Sequence, residues 1–297
     1  MSEVLCGIKA FDVHELFCHF LAKRLGFYDD EGIRVRVVDV TFTPDDKLPQ
    51  ESYFQVACGA AFLGRREGFP FKVLLAAASR PMFWLHARRE IEAIGDLRGK
   101  RVATFPNVAP PHYFHRALLR NHGLDADRDL DFWPCRDDII RLGLLREGDI
   151  DAALISSATS PVAAQRLGLR TLALVGDEVR FVTSGVATLE PILQKQPDLM
   201  AAIVRAHLRG LDAIHENRDE SVAILGETLR EADEVAEATF DRIVHCYTRD
   251  GRVDDDVLDA ALRHIGREVR SGKDVSSGEL YDFSLLNHQP VELPSAS

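Results

Sequence analysis

The first forty residues restrict the fold more than any other stretch. Val4 to Ala10 has the length and apolar character of a buried strand. From about Val13, the residues Leu16, Phe17, Phe20, Leu21 and Leu25 share one helical face, and Gly26 ends that helix. Ile33, Val35, Val37, Val38 and Val40 then form a β-branched run suited to the inside of a sheet. Strand, helix, strand is the unit of parallel sheets, because a parallel neighbour needs a crossover long enough to hold a helix.

The same grammar continues. Phe54 to Ala57, Lys72 to Ser79 and Met82 to Ala87 read as strands, with a helix over Cys58 to Arg66. A second unit opens at Ile94, with strands over Arg101 to Phe105, Leu130 to Pro134, Ile150 to Ile155 and Arg170 to Leu174. Helices over Tyr113 to Asn121, Asp137 to Glu147 and about Ser160 to Arg166 separate them. Near residue 188 the pattern turns helical, from Pro191 to about Arg270, and the last ten residues read as a loose tail.

At 297 residues the chain is long enough for one large or two modest domains, each with its own apolar core. Its 36 basic and 47 acidic side chains give a net charge of −11, spread along the chain, which argues against a nucleic-acid or anionic-membrane surface. No apolar run approaches the roughly eighteen residues of a bilayer span, so no membrane insertion is expected. The first residues lack the basic and apolar regions of a secretory signal, which points to a cytoplasmic protein, or to a periplasmic one if a signal peptide precedes this sequence. The five cysteines Cys6, Cys18, Cys58, Cys135 and Cys246 are odd in number and form no CxxC pair, which suits a reducing compartment and disfavours zinc. His14 and Cys18 share a helical face with His19 nearby, but no third ligand has the right spacing, so neither a metal nor a cofactor is expected.

Several phrases, in order, resemble the solute-binding proteins of nitrate/sulfonate/taurine-type ABC transporters and the related pyrimidine-precursor synthase of thiamin biosynthesis. They are Leu21-Ala-Lys-Arg-Leu-Gly-Phe-Tyr with Gly32-Ile-Arg-Val, Asp96-Leu-Arg-Gly-Lys-Arg-Val-Ala, and Tyr113-Phe-His-Arg-Ala-Leu-Leu-Arg-Asn-His-Gly-Leu-Asp. Glu147-Gly-Asp-Ile-Asp-Ala-Ala-Leu and Ile214-His-Glu-Asn-Arg-Asp-Glu complete the set, which spans most of the chain. The resemblance implies a two-lobed, periplasmic-binding-protein-like (type II) α/β fold with a helical C-terminal part. Lobe 1 would combine residues 1–85 with 184–297 and lobe 2 would be 86–183, joined by hinge strands near Pro81 to Arg88 and Phe181 to Leu189. It also implies a small-molecule ligand in the cleft and a transporter permease as the partner that reads the closed form. The same architecture serves cytosolic enzymes, including a sulfinate desulfinase and the thiamin-precursor synthase. The cysteine-rich run of that synthase does not occur in this chain.

Ligands of open α/β sheets lie beyond the carboxyl ends of the strands, so the residues after each strand carry the information. Phe11, Asp12 and His14 follow the first strand and offer a ring, a carboxylate and an imidazole; Asp12 could equally cap the next helix. Cys58 and Gly59 begin a helix, where a thiol can have a lowered pKa and act as a nucleophile, although a small buried cysteine is the commoner case. Asn107, Pro111 and Tyr113 surround the start of a helix whose N–H groups could hold an anion, and the proline pair there could simply start the helix. Ser156, Ser157 and Thr159 present hydroxyls that suit a polar ligand group or a helix cap. Phe11, Trp84 and Tyr113 favour a planar ligand, with hinge packing the alternative for Trp84. No GxSxG elbow is present.

Two functions remain. One is a receptor that closes on a small anionic or aromatic molecule. The other is a cytosolic enzyme of decarboxylase, desulfinase or thiamin-precursor type, with Asp12, His14 and Cys58 as the groups to test.

Overall fold

The computed structural model describes residues 2–9, 12–157 and 159–287, and its strands form two five-stranded sheets. In the first, β1 (Ser2–Ile8) pairs in parallel with β2 (Ile33–Asp39) along its whole length and with β3 (Tyr53–Ala57) on its other side. The Phe17–Arg24 helix and the Cys58–Arg66 helix lie in the β1–β2 connection and directly after β3. β4 (Phe71–Ala78) completes the N-terminal contribution. The second sheet takes β5 (Trp84–Arg88), β6 (Arg101–Thr104), β7 (Asp131–Pro134), β8 (Ala152–Ile155) and β9 (Leu169–Leu174) in the order β7-β6-β8-β5-β9. The chain then returns as β10 (Ser184–Leu189), which enters the first sheet antiparallel between β3 and β4, giving β2-β1-β3-β10-β4.

Both segments expected to be hinge strands are therefore full sheet members. β5 pairs with β8 and β9, and β10 with β3 and β4. The crossings between sheets are shorter, about residues 79–83 and 179–183, and they are stitched together. Phe181 N–H donates to the Ser79 carbonyl (3.0 Å), Thr183 N–H to the Ala78 carbonyl (3.0 Å) and Val175 N–H to the Phe83 carbonyl (2.9 Å).

The strand-to-helix switch near residue 188 holds, since β10 ends at Leu189 and helices follow. These pack on the first sheet: Tyr281 bridges to Val73 and Tyr247 to Ala78 of β4. The long Pro197–Glu216 helix crosses the Phe17–Arg24 helix closely at Gly210, where a Cβ would lie 2.5 Å from the Cys18 carbonyl oxygen. Beneath this crossing runs a buried polar chain. His19 Nδ1 meets the Tyr28 hydroxyl at 2.9 Å, which meets His207 Nε2 at 3.4 Å, and His207 Nδ1 donates to the Ile203 carbonyl at 2.9 Å.

The first helix starts at Phe17, later than its apolar periodicity suggests. Asp12 Oδ1 accepts the N–H groups of His14 (2.8 Å) and Glu15 (3.3 Å), holding residues 13–16 in a turn. The expected C-terminal tail lies outside the described residues.

Candidate functional site

A cavity of about 990 Å³ opens between the two sheets. The first lobe lines it with Lys9, Asp12 and Glu15 after β1, Asp39 and 41–45 after β2, and Ala57, Gly59 and Ala60 around the end of β3. The second lobe adds 105–111 and Tyr113 after β6, 136–139 after β7 and Ser156 after β8. Val269 and Ser271 of the C-terminal part close one side. The carboxyl ends of both sheets thus face the same space, as in other open α/β folds.

The floor is aromatic. Phe62 and Phe181 meet edge-on at 5.1 Å, Phe181 and Phe114 at 5.2 Å, Phe114 and Phe83 at 6.4 Å, and Phe83 and Phe105 edge-on at 5.5 Å. This line of rings runs from the first lobe through the crossing segments into the second, and Phe83, Phe105 and Phe114 reach the cavity. At the mouth, Arg136 of the second lobe stacks over the Phe42 ring of the first at 4.5 Å.

Asp12, Gly59, Asn107, Pro111, Tyr113 and Ser156 line the cavity. Asp12 both caps its turn and spans the lobes, because Ser157 Oγ donates to its Oδ1 at 3.1 Å. Gly59 keeps the walls close, since a Cβ there would stand 3.0 Å from Pro110 Cβ. Tyr113 donates its hydroxyl to the Asn107 carbonyl, and Ser156 donates both N–H and Oγ to Asp138. Thr159 stands back from the cavity and offers its carbonyl to His86 Nε2 at 3.1 Å. Trp84 is wholly buried in the second sheet, and Phe11 lies outside the described residues.

Cys58 and His14 are buried behind the wall. Cys58 heads its helix, yet burial pushes its thiol well above the ordinary range and the charge of Glu15 adds to this. His14 has no partner for either ring nitrogen among the described residues, and burial pulls its pKa down to about 3. Burial also raises Asp12 against the pull of its three hydrogen bonds, and it raises Glu15 further with help from the charge of Asp12.

The helix start at 110–113 differs from the anion cradle expected there. Pro110 and Pro111 supply no N–H, and His112 N–H donates to the Ala109 carbonyl at 3.1 Å. Sequence reasoning missed Phe42, Asp39, Arg136 and Asp137, although they follow β2 and β7 and the same rule would have found them. Val269 and Ser271 carry no local signal, because they reach the cleft from the far end of the chain.

The lobes are also tied by charge. Glu268, on the C-terminal segment, is buried against the Pro110–Asn121 helix, with Arg116 Nε donating to Oε2 at 3.2 Å. Arg120 approaches Oε1 at 2.7 Å, off the hydrogen-bond direction. Asp127 takes Arg116 and, at 2.7 Å, Arg270. Glu268→Ala should cost about 2 kcal/mol in urea denaturation. That is below the loss for a fully buried pair, because Arg116 keeps Asp127 and Arg120 is half-exposed. Glu268→Gln should recover part of it.

No helix among the described residues is long and apolar enough to cross a membrane. Similar proteins share the architecture. The riboflavin-binding protein RibY of Chloroflexus aurantiacus is 25% identical over 226 residues, which cover 72% of this chain and 63% of that protein, so the match spans less than two thirds of the relative. The periplasmic aliphatic sulphonate binding protein SsuA of Escherichia coli superposes with a TM-score of 0.71 at 17% identity, over 92% of this chain and 96% of that one. The desulfurization enzyme DSZB does so at 0.72 and 16% identity, over 97% and 98%. The fold is thus that of the periplasmic binding proteins. Residues 15–221 match the family described as NMT1/THI5 like, and the chain belongs to that family.

Proposed function

We propose that this protein is a receptor that holds a flat aromatic molecule in the interlobe cleft and hands it to a membrane permease without changing it. The carrying observation is the line of rings under a cavity of about 990 Å³, with the Phe42 and Arg136 stack at its mouth. Such a volume suits a molecule of drug or cofactor size, and ring faces reward a planar one. The name of the Chloroflexus relative supports an aromatic ligand, and that of the Escherichia coli neighbour supports a periplasmic over a cytoplasmic setting. Closure would bend the two crossing segments, since the ligand touches both lobes only when they meet.

The burial of Cys58 and His14 supports binding over catalysis. Calorimetric titration with riboflavin as the first probe should give saturable one-to-one binding, weakened at least about tenfold by Phe42→Ala through loss of the mouth stack. Cys58→Ala should bind normally, and ligand should be recovered chemically unchanged after long incubation. Conversion of the ligand that ceases in Cys58→Ala would establish the enzyme reading instead.

A further inference from the structure

Several backbone donors that could hold an anion in this cleft are already used by the chain itself. At the Cys58–Arg66 helix the first two N–H groups, of Cys58 and Gly59, both point to the Thr183 carbonyl (2.9 and 3.4 Å). The Pro110–Asn121 helix begins with two prolines and a committed His112 N–H. At the Asp138–Glu147 helix, Asp137 Oδ1 takes the N–H groups of Ile139 (2.8 Å) and Ile140 (3.1 Å). Asp12 does the same for the turn after β1. A helix end filled by a carboxylate has spent its dipole on that carboxylate and repels a second anion.

Two of the three cations that line the cleft are committed as well. Lys9 is bound to Asp45 (2.9 Å) and to the Thr43 carbonyl (3.2 Å). Arg66 donates to the carbonyls of Val269 and Ser271 and to Asp274. Arg136 lies over Phe42, and its charge adds to the Thr41 hydrogen bonds that lower the Asp39 pKa. Seven carboxyl side chains line the cavity against these three cations, so the field inside is negative. Glu15 lines it with no side-chain hydrogen-bond partner among the described residues, and burial, with the charge of Asp12, raises its pKa.

We propose that the cleft selects by charge, taking an uncharged or cationic aromatic molecule and rejecting the same scaffold when it carries an anionic group. This rests on the cleft being the ligand site. Two probe pairs separate the ideas, because each pair keeps one aromatic scaffold and adds an anionic group to it: riboflavin against riboflavin 5′-phosphate, and N-phenyl-1-naphthylamine against 1-anilinonaphthalene-8-sulfonate. The uncharged member should bind at least about tenfold more tightly, and the gap should shrink as salt screens the field. In a D39N/D137N double variant, which keeps both loop hydrogen bonds, the gap should narrow several-fold. An anionic member that binds as tightly as its uncharged counterpart, or more tightly, overturns the inference while leaving the binding reading intact. If riboflavin fails and the naphthylamine pair still discriminates, the flavin choice is lost and the charge rule stands. Failure of all four probes removes the ligand reading and the charge rule together.

Discussion

A Gly185→Ala protein is expected to be recovered unfolded. Gly185 sits in β10 at a register shift against β4, and an added Cβ would fall inside the Leu75 carbonyl oxygen, 2.9 Å from Leu75 C and 3.0 Å from Ala77 N. All three are backbone atoms of β4, so no side chain can swing aside. Relief requires β10 and β4 to part, in a sheet whose β3, β4 and β10 are almost wholly buried. Overpacking that side chains can absorb costs roughly 1–3 kcal/mol, and a clash with a buried ladder should exceed about 4 kcal/mol, a large part of a domain's stability. Far-ultraviolet circular dichroism and urea denaturation would show it. Gly95→Ala, whose Cβ would meet nothing within 4 Å, should change stability by less than about 0.5 kcal/mol.

Mild acid should be the second strong perturbation. His14, His19, His86, His115 and His207 are all at most 2% exposed, and burial lowers His14, His19 and His115 to about 3 and His86 and His207 to about 4. Unfolded histidines take up protons near pH 6.5, whereas these stay neutral while the fold persists. Below that pH the unfolded chain binds more protons than the folded one, so stability falls as pH falls. The stabilisation is complete above pH 6.5 and is lost down to about pH 3–4. At pH 5 each histidine contributes a loss of roughly 2 kcal/mol, on the order of 10 kcal/mol for the five. Asp12, Glu15 and Asp212, whose pKa values are raised, act with the opposite sign and offset part of it. Thermal melts at pH 7.5 and 5.0 should differ by well over 10 °C. An unchanged melting temperature would mean that these imidazoles find partners on protonation. The His19–Tyr28–His207 chain makes that least available to them, because His207 Nδ1 is already committed to the Ile203 carbonyl.

The parallel grammar was legible because strand and helix periods are local properties. A β-branched run needs no partner to be read: Ile33 to Val40 looks like a buried strand wherever it stands. Sheet membership is a different quantity. Trp84 pairs with Ile155 and Leu174, and Leu189 with Phe71, partners far away in sequence, so the hinge strands could be placed but the sheet neighbours of β5 and β10 could not. The start of the first helix was misplaced because Leu16 keeps the helical spacing while residues 13–16 form a turn capped by the Asp12 carboxylate, ahead of the helix itself.

Much of the cleft could be read in the same way, since Asp12, Gly59, Asn107 and Ser156 all follow strands. The ionisation of Cys58 could not, because it depends on how deeply the thiol is buried, and its helix-start position argues for the opposite direction. Nor could the stacking of Arg136 on Phe42 or the arrival of Glu268 beside Arg116, which exist only once the lobes meet.

The late entry of β10 also sets an order of assembly during synthesis. The second sheet is drawn from one continuous stretch, Trp84 to Leu174, and can close as soon as that stretch has left the ribosome. The first sheet cannot. Until Ser184–Leu189 emerges and is threaded between them, β3 keeps one ladder edge open and β4 has no strand partner, so the part made first is finished last. For that interval the nascent chain carries exposed, strongly apolar strand edges behind an already folded insert, and this is the stage at which a chaperone has something to hold.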